Sequence, residues 1–317
     1  MSESLKVKIS RMYYYKGMTK QDIARRLRIS RFRVSRLLEQ ARDEGIVQIQ
    51  IVEPPIMSME LEEELEERFG LQRAIVVKTT SDSEEVIKEA IGRATAECLM
   101  DVLKDGDVLG IAWGTTVNEA VKALPPKLSV DIRVVQVTGG LNQMAINVNA
   151  IDLTRRVAEI CDADYYLLHA PAMVSNAAAR QALLSDNGIK RTFDMFERVN
   201  VALAGIGALS PELVSTYSTY YRAGYIRDAD LELLKHNRVV GDIFAHFFDV
   251  EGRICDAELE ERIIGMSTTQ LKNVEYSIGI GGGPHKHQAI LGALKGKLIN
   301  LLVTDHATAK AILASDA

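Results

Sequence analysis

Arg31, Arg33 and Arg36, with Ser35 among them, crowd into one short stretch behind Ser30. A guanidinium presents its donors in a fixed fork that matches a phosphate, or the O6/N7 edge of guanine, two bonds at a time. The cluster is therefore equipped for a nucleic-acid duplex, and Lys20 and Arg25 just upstream suit its phosphate backbone. A second set of chemically capable residues is scattered through the rest of the chain. Thr115 and Thr116 follow Gly114; Gly139-Gly140, Gly205 with Gly207, and Gly281-Gly282-Gly283 end other apolar stretches; Lys286 comes just after the last of these. Glycine lets backbone come close to a ligand, and free N–H groups at a helix start favour an anion. The threonine hydroxyls add donors, and a lysine supplies a point charge for a phosphate or a sugar oxygen. Asp242 can accept from sugar hydroxyls or, equally, cap a helix. His285 and His287 flank Lys286 and read first as surface residues. One glycine loop alone is only a turn; four in one chain argue for a site.

Other chemistries are disfavoured. The run GIGGG is not G-x-G-x-x-G, and no G-x-x-x-x-G-K-[ST] occurs, which argues against NAD or ATP. Cys98, Cys161 and Cys255 are scattered with no C-x-x-C pair, as expected of reduced thiols rather than a metal site or disulfide frame. No cofactor and no metal are expected. No apolar run reaches membrane-spanning length and the start, MSESLKVKISRMYYYKG, is polar and basic, so a cytoplasmic protein without membrane contact is expected.

The elements that must position the arginines are short and well marked. Thr19 is placed to cap a helix over TKQDIARRL, with Asp22 in the capping-box position and Ile23, Ala24 and Leu27 on one face. Arg28-Ile29-Ser30 makes a short connection in which Ile29 plugs the angle, and Ser30 caps a second helix that Gly45 ends. Val34, Leu37, Leu38 and Ala41 form its buried stripe, which leaves the arginines outside. This is the layout of a helix-turn-helix whose second helix enters a major groove; the competing reading is a helical hairpin for protein contacts. A helix over about residues 5–15 completes a three-helix core, and the alternation over 46–51 predicts a strand or small wing ending at Pro54-Pro55. Charge sharpens the picture. Residues 1–50 hold twelve Lys/Arg against five acids, net +7, whereas the whole chain carries −5. Such asymmetry fits one end meeting a polyanion, although a solvated helical face alone can look similar.

Three segments follow from these boundaries: a helix-turn-helix over 1–53, a linker helix over 54–70, and an α/β domain over 71–317. The acidic run MSMELEEELEERFGL reads either as a linker helix that pairs with a partner chain or as a surface helix of the large domain. Beyond it, apolar strands (AIVVK, VLGIA, IRVVQV, LINLLVT) alternate with helices. The segments DADYYLLHAPA, VNVALAGIGALSPEL and YSIGIGGGPHKHQAILGAL repeat the form of apolar strand, small-residue loop and helix, and Asp305 caps the last helix. That pattern predicts a parallel, doubly wound sheet covered on both faces, with ligands outside the carboxyl ends of its strands.

In order and spacing, YYYKGMTKQDIARRLRISRFRVSRLL, GIAWGTTVNEAV, VVQVTGG, VALAGIG, VGDIFAHFFDVEG and SIGIGGGPHKHQAILGALKGKLINLLVTDHATAKAIL resemble the SorC-type sugar-responsive transcription regulators over the whole chain. The resemblance implies an α/β fold class: a winged or three-helix helix-turn-helix joined to a Rossmann-like doubly wound domain similar to sugar-phosphate isomerases and deaminases. It implies a homo-oligomer, a tetramer, on double-stranded operator DNA, answering to a small sugar, polyol or sugar-phosphate effector. By the same resemblance an effector phosphate sits against Gly114, Thr115 and Thr116, the loop with Gly139 and Gly140 faces the same pocket, and Asp242, Lys286 and Gln136 match effector contacts. Residues 141–149, with three asparagines, would help choose the ligand. Two alternatives stay open: a sensor of an unphosphorylated sugar or polyol, with Trp113 stacking on a sugar face, and an isomerase- or deaminase-like enzyme. The second lacks an evident Asp/Glu/His set on the glycine loops.

Overall fold

The computed structural model describes residues 2–47, 58–141, 148–209, 219–255 and 257–316. The chain folds as two compact units, Met1–Glu53 and Pro54–Ala317.

In the first unit α1 (Ser2–Ser10) runs into a π-helical turn, Arg11–Tyr15, followed by α2 (Lys20–Leu27) and α3 (Arg31–Asp43). The caps are those the sequence marks. Thr19 accepts the Asp22 N–H at 3.2 Å while its hydroxyl donates to the Asp22 carboxylate at 2.6 Å, and Ser30 accepts the Arg33 N–H at 3.2 Å. Arg28 closes α2 in the left-handed conformation, φ 53°. Ile9, Met12, Ile23, Ala24, Val34, Leu37 and Leu38 form the core, with Ile29 packed against it. An ion pair between Lys6 and Glu44 ties α1 to the end of α3. Of the strand predicted over 46–51, Ile46 and Val47 form a bend instead; 48–51 lie outside the described residues.

Among the described residues the second unit has ten strands: β1 (Arg73–Val77), β2 (Val108–Ile111), β3 (Arg133–Gln136), β4 (Asp164–Tyr166), β5 (Val201–Gly205), β6 (Gly207–Ala208), β7 (Val239–Ile243), β8 (His246–Asp249), β9 (Tyr276–Ile280) and β10 (Leu301–Asp305). Seven pair in parallel in the order β1-β10-β9-β5-β2-β3-β4; β6, β7 and β8 make a small antiparallel sheet. The strands of the larger sheet are mostly apolar because both faces are covered. Ala74, Val76, Val135, Ala202 and Leu302 face one core, and Ile75, Val77, Val134, Leu203 and Val303, their neighbours in sequence, face the other.

Four helices lead up to and flank the first half of the sheet: α4 (Met59–Phe69), α5 (Glu84–Val102), α6 (Thr115–Ala123) and α7 (Ala150–Cys161). Of residues 54–70, those described from Ser58 onward pack on the large unit through α4. Leu65 of α4 is fully buried in that unit's core. Glu66 and Glu62 accept the N–H groups of Ala74 and Val76, at 2.7 and 2.8 Å, along β1 at the edge of the sheet. Asp305 caps the last helix, His306–Ser315, as predicted, accepting from Ala307 and Thr308. From β2 the chain steps outward through β3 and β4, then returns to set β5 on the other side of β2 and steps outward again through β9 and β10. The reversal makes β2/β5 a switch point, where loops leaving the carboxyl ends diverge and a crevice opens.

Candidate functional site

At that switch point lies a cavity of about 160 Å³, walled by the loops after β2 and β5 and floored by the small antiparallel sheet. The loop after β2 supplies Trp113, Gly114, Thr115 and Thr116. Gly114 begins α6 without a side-chain cap, and the first bond of the helix runs from the Asn118 N–H to the Gly114 carbonyl. The N–H groups of the first turn thus lack partners within the helix, the usual basis of an anion site. The loop after β5 supplies Gly205, Ile206 and Gly207.

Two oppositely charged side chains meet the ligand space from the other wall. Asp242 sits in β7, opposite Gly207, and does not cap a helix. It is buried, accepts the Tyr220 hydroxyl at 3.1 Å, and has its pKa pushed up to about 6 by burial, against the pull of Lys286 and of the Tyr220 hydrogen bond. Lys286 donates to the Ile206 carbonyl at 2.6 Å; burial lowers its pKa, and the charge of Asp242 opposes the fall. The Tyr220 hydroxyl is raised well above its ordinary value, first by burial and then by Asp242. A Cβ on Gly207 would lie 2.0 Å from the Asp242 Oδ1, so a side chain here would push that carboxylate from its place. Phe244 and Ala245, both at positive φ (54° and 71°), form the two-residue turn between β7 and β8, and Phe244 lines the cavity. Non-glycine residues in such a turn store strain, which tends to gather at ligand sites.

Gly114, Thr115, Thr116, Asp242 and Lys286 are thus brought together, while three other expected residues do different work. Gln136 is fully buried, donating to the Thr138 carbonyl at 2.8 Å and accepting the Leu168 N–H at 3.1 Å, so it braces the end of β3 instead of lining the cavity. Gly139 and Gly140 pack behind the wall: a Cβ on Gly139 would fall 2.3 Å from the Pro171 carbonyl oxygen, and Gly140 bridges to Pro171. Of that loop it is Thr138 that lines the cavity. The run Gly281–Gly283 lies outside it too, with the Gly283 N–H shared between Asp305 and Thr308. Most of the 141–149 loop (142–147) is outside the described residues. Sequence reasoning missed Tyr220, one of four tyrosines between 217 and 225 with nothing local to single it out. Thr138 belongs to the loop expected to face the pocket without being singled out there, and Trp113 is given only a stacking role. Trp113 packs edge-on against Tyr220, centroids 5.3 Å apart, and the Trp113 Nε1 and Thr138 Oγ1 atoms are buried with no hydrogen-bond partner among the described residues.

On the first unit Arg31, Arg33 and Arg36 are exposed on the first turns of α3 and Ser35 is half-buried beside them. Lys20 and Arg31 border one shallow cleft at the start of α2. Arg25 is exposed and paired with Asp22 at 2.6 Å.

A family model described as "Putative sugar-binding domain" matches residues 53–314, and Sigma-70 region 4 matches residues 9–44. The deoxyribonucleoside regulator of Bacillus subtilis (strain 168) is 34% identical over 311 residues, 98% of this chain and 97% of its own. The sorbitol operon regulator of Klebsiella pneumoniae is 32% identical over 309 residues, 97% of this chain and 96% of its own. The chain belongs to the SorC-type family of sugar-responsive transcription regulators. The crystal structure of the full-length Klebsiella SorC superimposes with a TM-score of 0.74 at 32% identity, covering 98% of each chain. As a SorC-type regulator the chain unites a DNA-binding helix-turn-helix with a sugar-binding α/β domain. Among the described residues no helix is long and apolar enough to cross a membrane.

Proposed function

We propose that this regulator controls an operon for carbohydrate use, binding double-stranded operator DNA through α3 and answering to a small sugar or sugar phosphate held in the β2/β5 cavity. The observation that carries this reading is the cavity itself. The uncapped start of α6, with Thr115 and Thr116, faces the same space as Asp242 and Lys286. When both are ionised those two charges cancel, so the phosphate of an effector would rest on the α6 N–H groups and hydroxyls while Asp242 and Lys286 take sugar hydroxyls. In this reading Gly114, Thr115, Thr116, Asp242 and Lys286 touch the effector, and Gln136, Gly139 and Gly140 shape the wall behind them. Arg31, Arg33, Ser35 and Arg36 meet bases or phosphates, and Lys20 and Arg25 the backbone.

The regulator acts in the cytoplasm as a homotetramer. Its effector shifts the balance between tetramer arrangements through unequal affinity for them. Thermal melts against sugars, polyols and their phosphates, followed by calorimetry on matched pairs, test the reading. A phosphorylated member of a pair is expected to bind more tightly, and Lys286→Met to lose that binding while keeping operator affinity. An unphosphorylated polyol binding as well as its phosphate would favour the alternative sensor.

A catalytic reading has one observation on its side, the raised pKa of Asp242 next to Tyr220 and Lys286. Slow turnover of pentose or hexose phosphates by the pure protein would establish it; the expected result is none.

A further inference from the structure

Phe32 is 89% exposed, the barest of the large apolar side chains among the described residues, and it takes no part in the core of the first unit. A solitary exposed hydrophobe is ordinary on a protein surface. This one stands at the second position of α3, directly after the cap, between the exposed Arg31 and Arg33 and on the same helical face as Ser35 and Arg36. The first turn of a recognition helix is the part that reaches base edges. A phenyl ring has neither donor nor acceptor, so it cannot read the hydrogen-bonding pattern of a base pair. The apolar feature that base pairs show in the major groove is the 5-methyl group of thymine. The surrounding guanidinium groups draw the ring to a polyanion and away from a basic protein surface.

We infer that Phe32 reads a thymine methyl group in the operator, so that each half-site holds one T·A pair recognised by its methyl as well as by any hydrogen bond to it. This rests on the DNA-binding reading above. Removing one methyl from such a contact costs about a fourfold loss of affinity.

The test begins with duplexes selected from a random library by the full-length protein. In the best binder each thymine is replaced by uracil, one symmetric pair of positions at a time, which deletes the methyl and nothing else, and affinity is read by fluorescence anisotropy. Wild type is expected to lose about fourfold per half-site at one position. Phe32→Ala is expected to bind the parent duplex more weakly and to show no further loss from that swap, whereas Phe32→Leu retains part of it and Arg36→Ala keeps it in full. Because Phe32 is outside the core, the variants should melt with wild type. Uracil duplexes that all bind wild type as well as the parent, or a penalty that persists unchanged in Phe32→Ala, would overturn the inference while leaving DNA binding intact. A library in which no duplex is enriched would sink the DNA-binding reading and this inference together.

Discussion

The arginines of α3 carry their charge in open water, while Asp242 and Lys286 carry theirs into a cavity where burial works against both. The two placements suit different tasks. An exposed cation loses little by staying solvated, a placement suited to a long polyanion whose counterions it releases, with an affinity that falls with salt. A buried pair is poorly screened and sensitive to whatever enters beside it, a placement suited to sensing a small molecule or a change of protonation. One region advertises its function on the surface; the other conceals it between residues far apart in the chain.

The largest test of that contrast removes the surface cations. A protein carrying both Arg33→Ala and Arg36→Ala is expected to bind operator on the order of a hundredfold more weakly and with a shallower salt slope. Its effector affinity by calorimetry stays unchanged, and loss of both would break the comparison. Next comes pH. The Asp242 pKa lies at about 6, against an ordinary 3.8, so its protonated form favours the fold. Its contribution is full below pH 4, is lost as pH rises through about 6, and spans about 3 kcal/mol. Urea melts of wild type should show that descent between pH 4 and 7, and Asp242→Asn should lack it; parallel profiles would mean the carboxyl is not held as described.

A smaller effect is expected from Gly207→Ala, whose new methyl collides with the Asp242 Oδ1. Strain of about 2 kcal/mol is expected to lower the melting temperature, and displacement of the carboxylate to weaken effector binding, with operator affinity spared. The smallest concerns Trp113, the only tryptophan in the sequence. If an effector oxygen satisfies its orphan Nε1, Trp113→Phe costs about fivefold in effector affinity without destabilising the free protein. Titrations of wild type by its indole emission, set against calorimetry on the variant, check this; equal affinities would assign Trp113 to packing alone.

The same contrast explains what could be read in advance. Thr19, Ser30 and the apolar stripe of α3 act within a few residues of their partners, so caps, turn and exposed arginines are written locally. The parallel sheet is legible too, because strands buried on both faces must be continuously apolar. The cavity is different. Gly207 and Gly281 look alike in sequence, and only the strand order decides that the first borders Asp242 and the second does not. Gln136 ends a strand as a ligand contact would, yet its amide is used up by the Thr138 and Leu168 backbone. The antiparallel β6-β7-β8 sheet went unread because β6 is only two residues long and Val239–Ile243 shows no alternation that marks a strand.

Helix α4 completes one edge of the sheet in place of a strand, its Glu62 and Glu66 carboxylates engaging backbone N–H groups that an added β-strand would otherwise bond. The helix thereby closes this one edge to pairing with a further strand. Were it to lift away, β1 would expose a row of unpaired backbone N–H and C=O groups, the kind of edge on which strands of other chains can add.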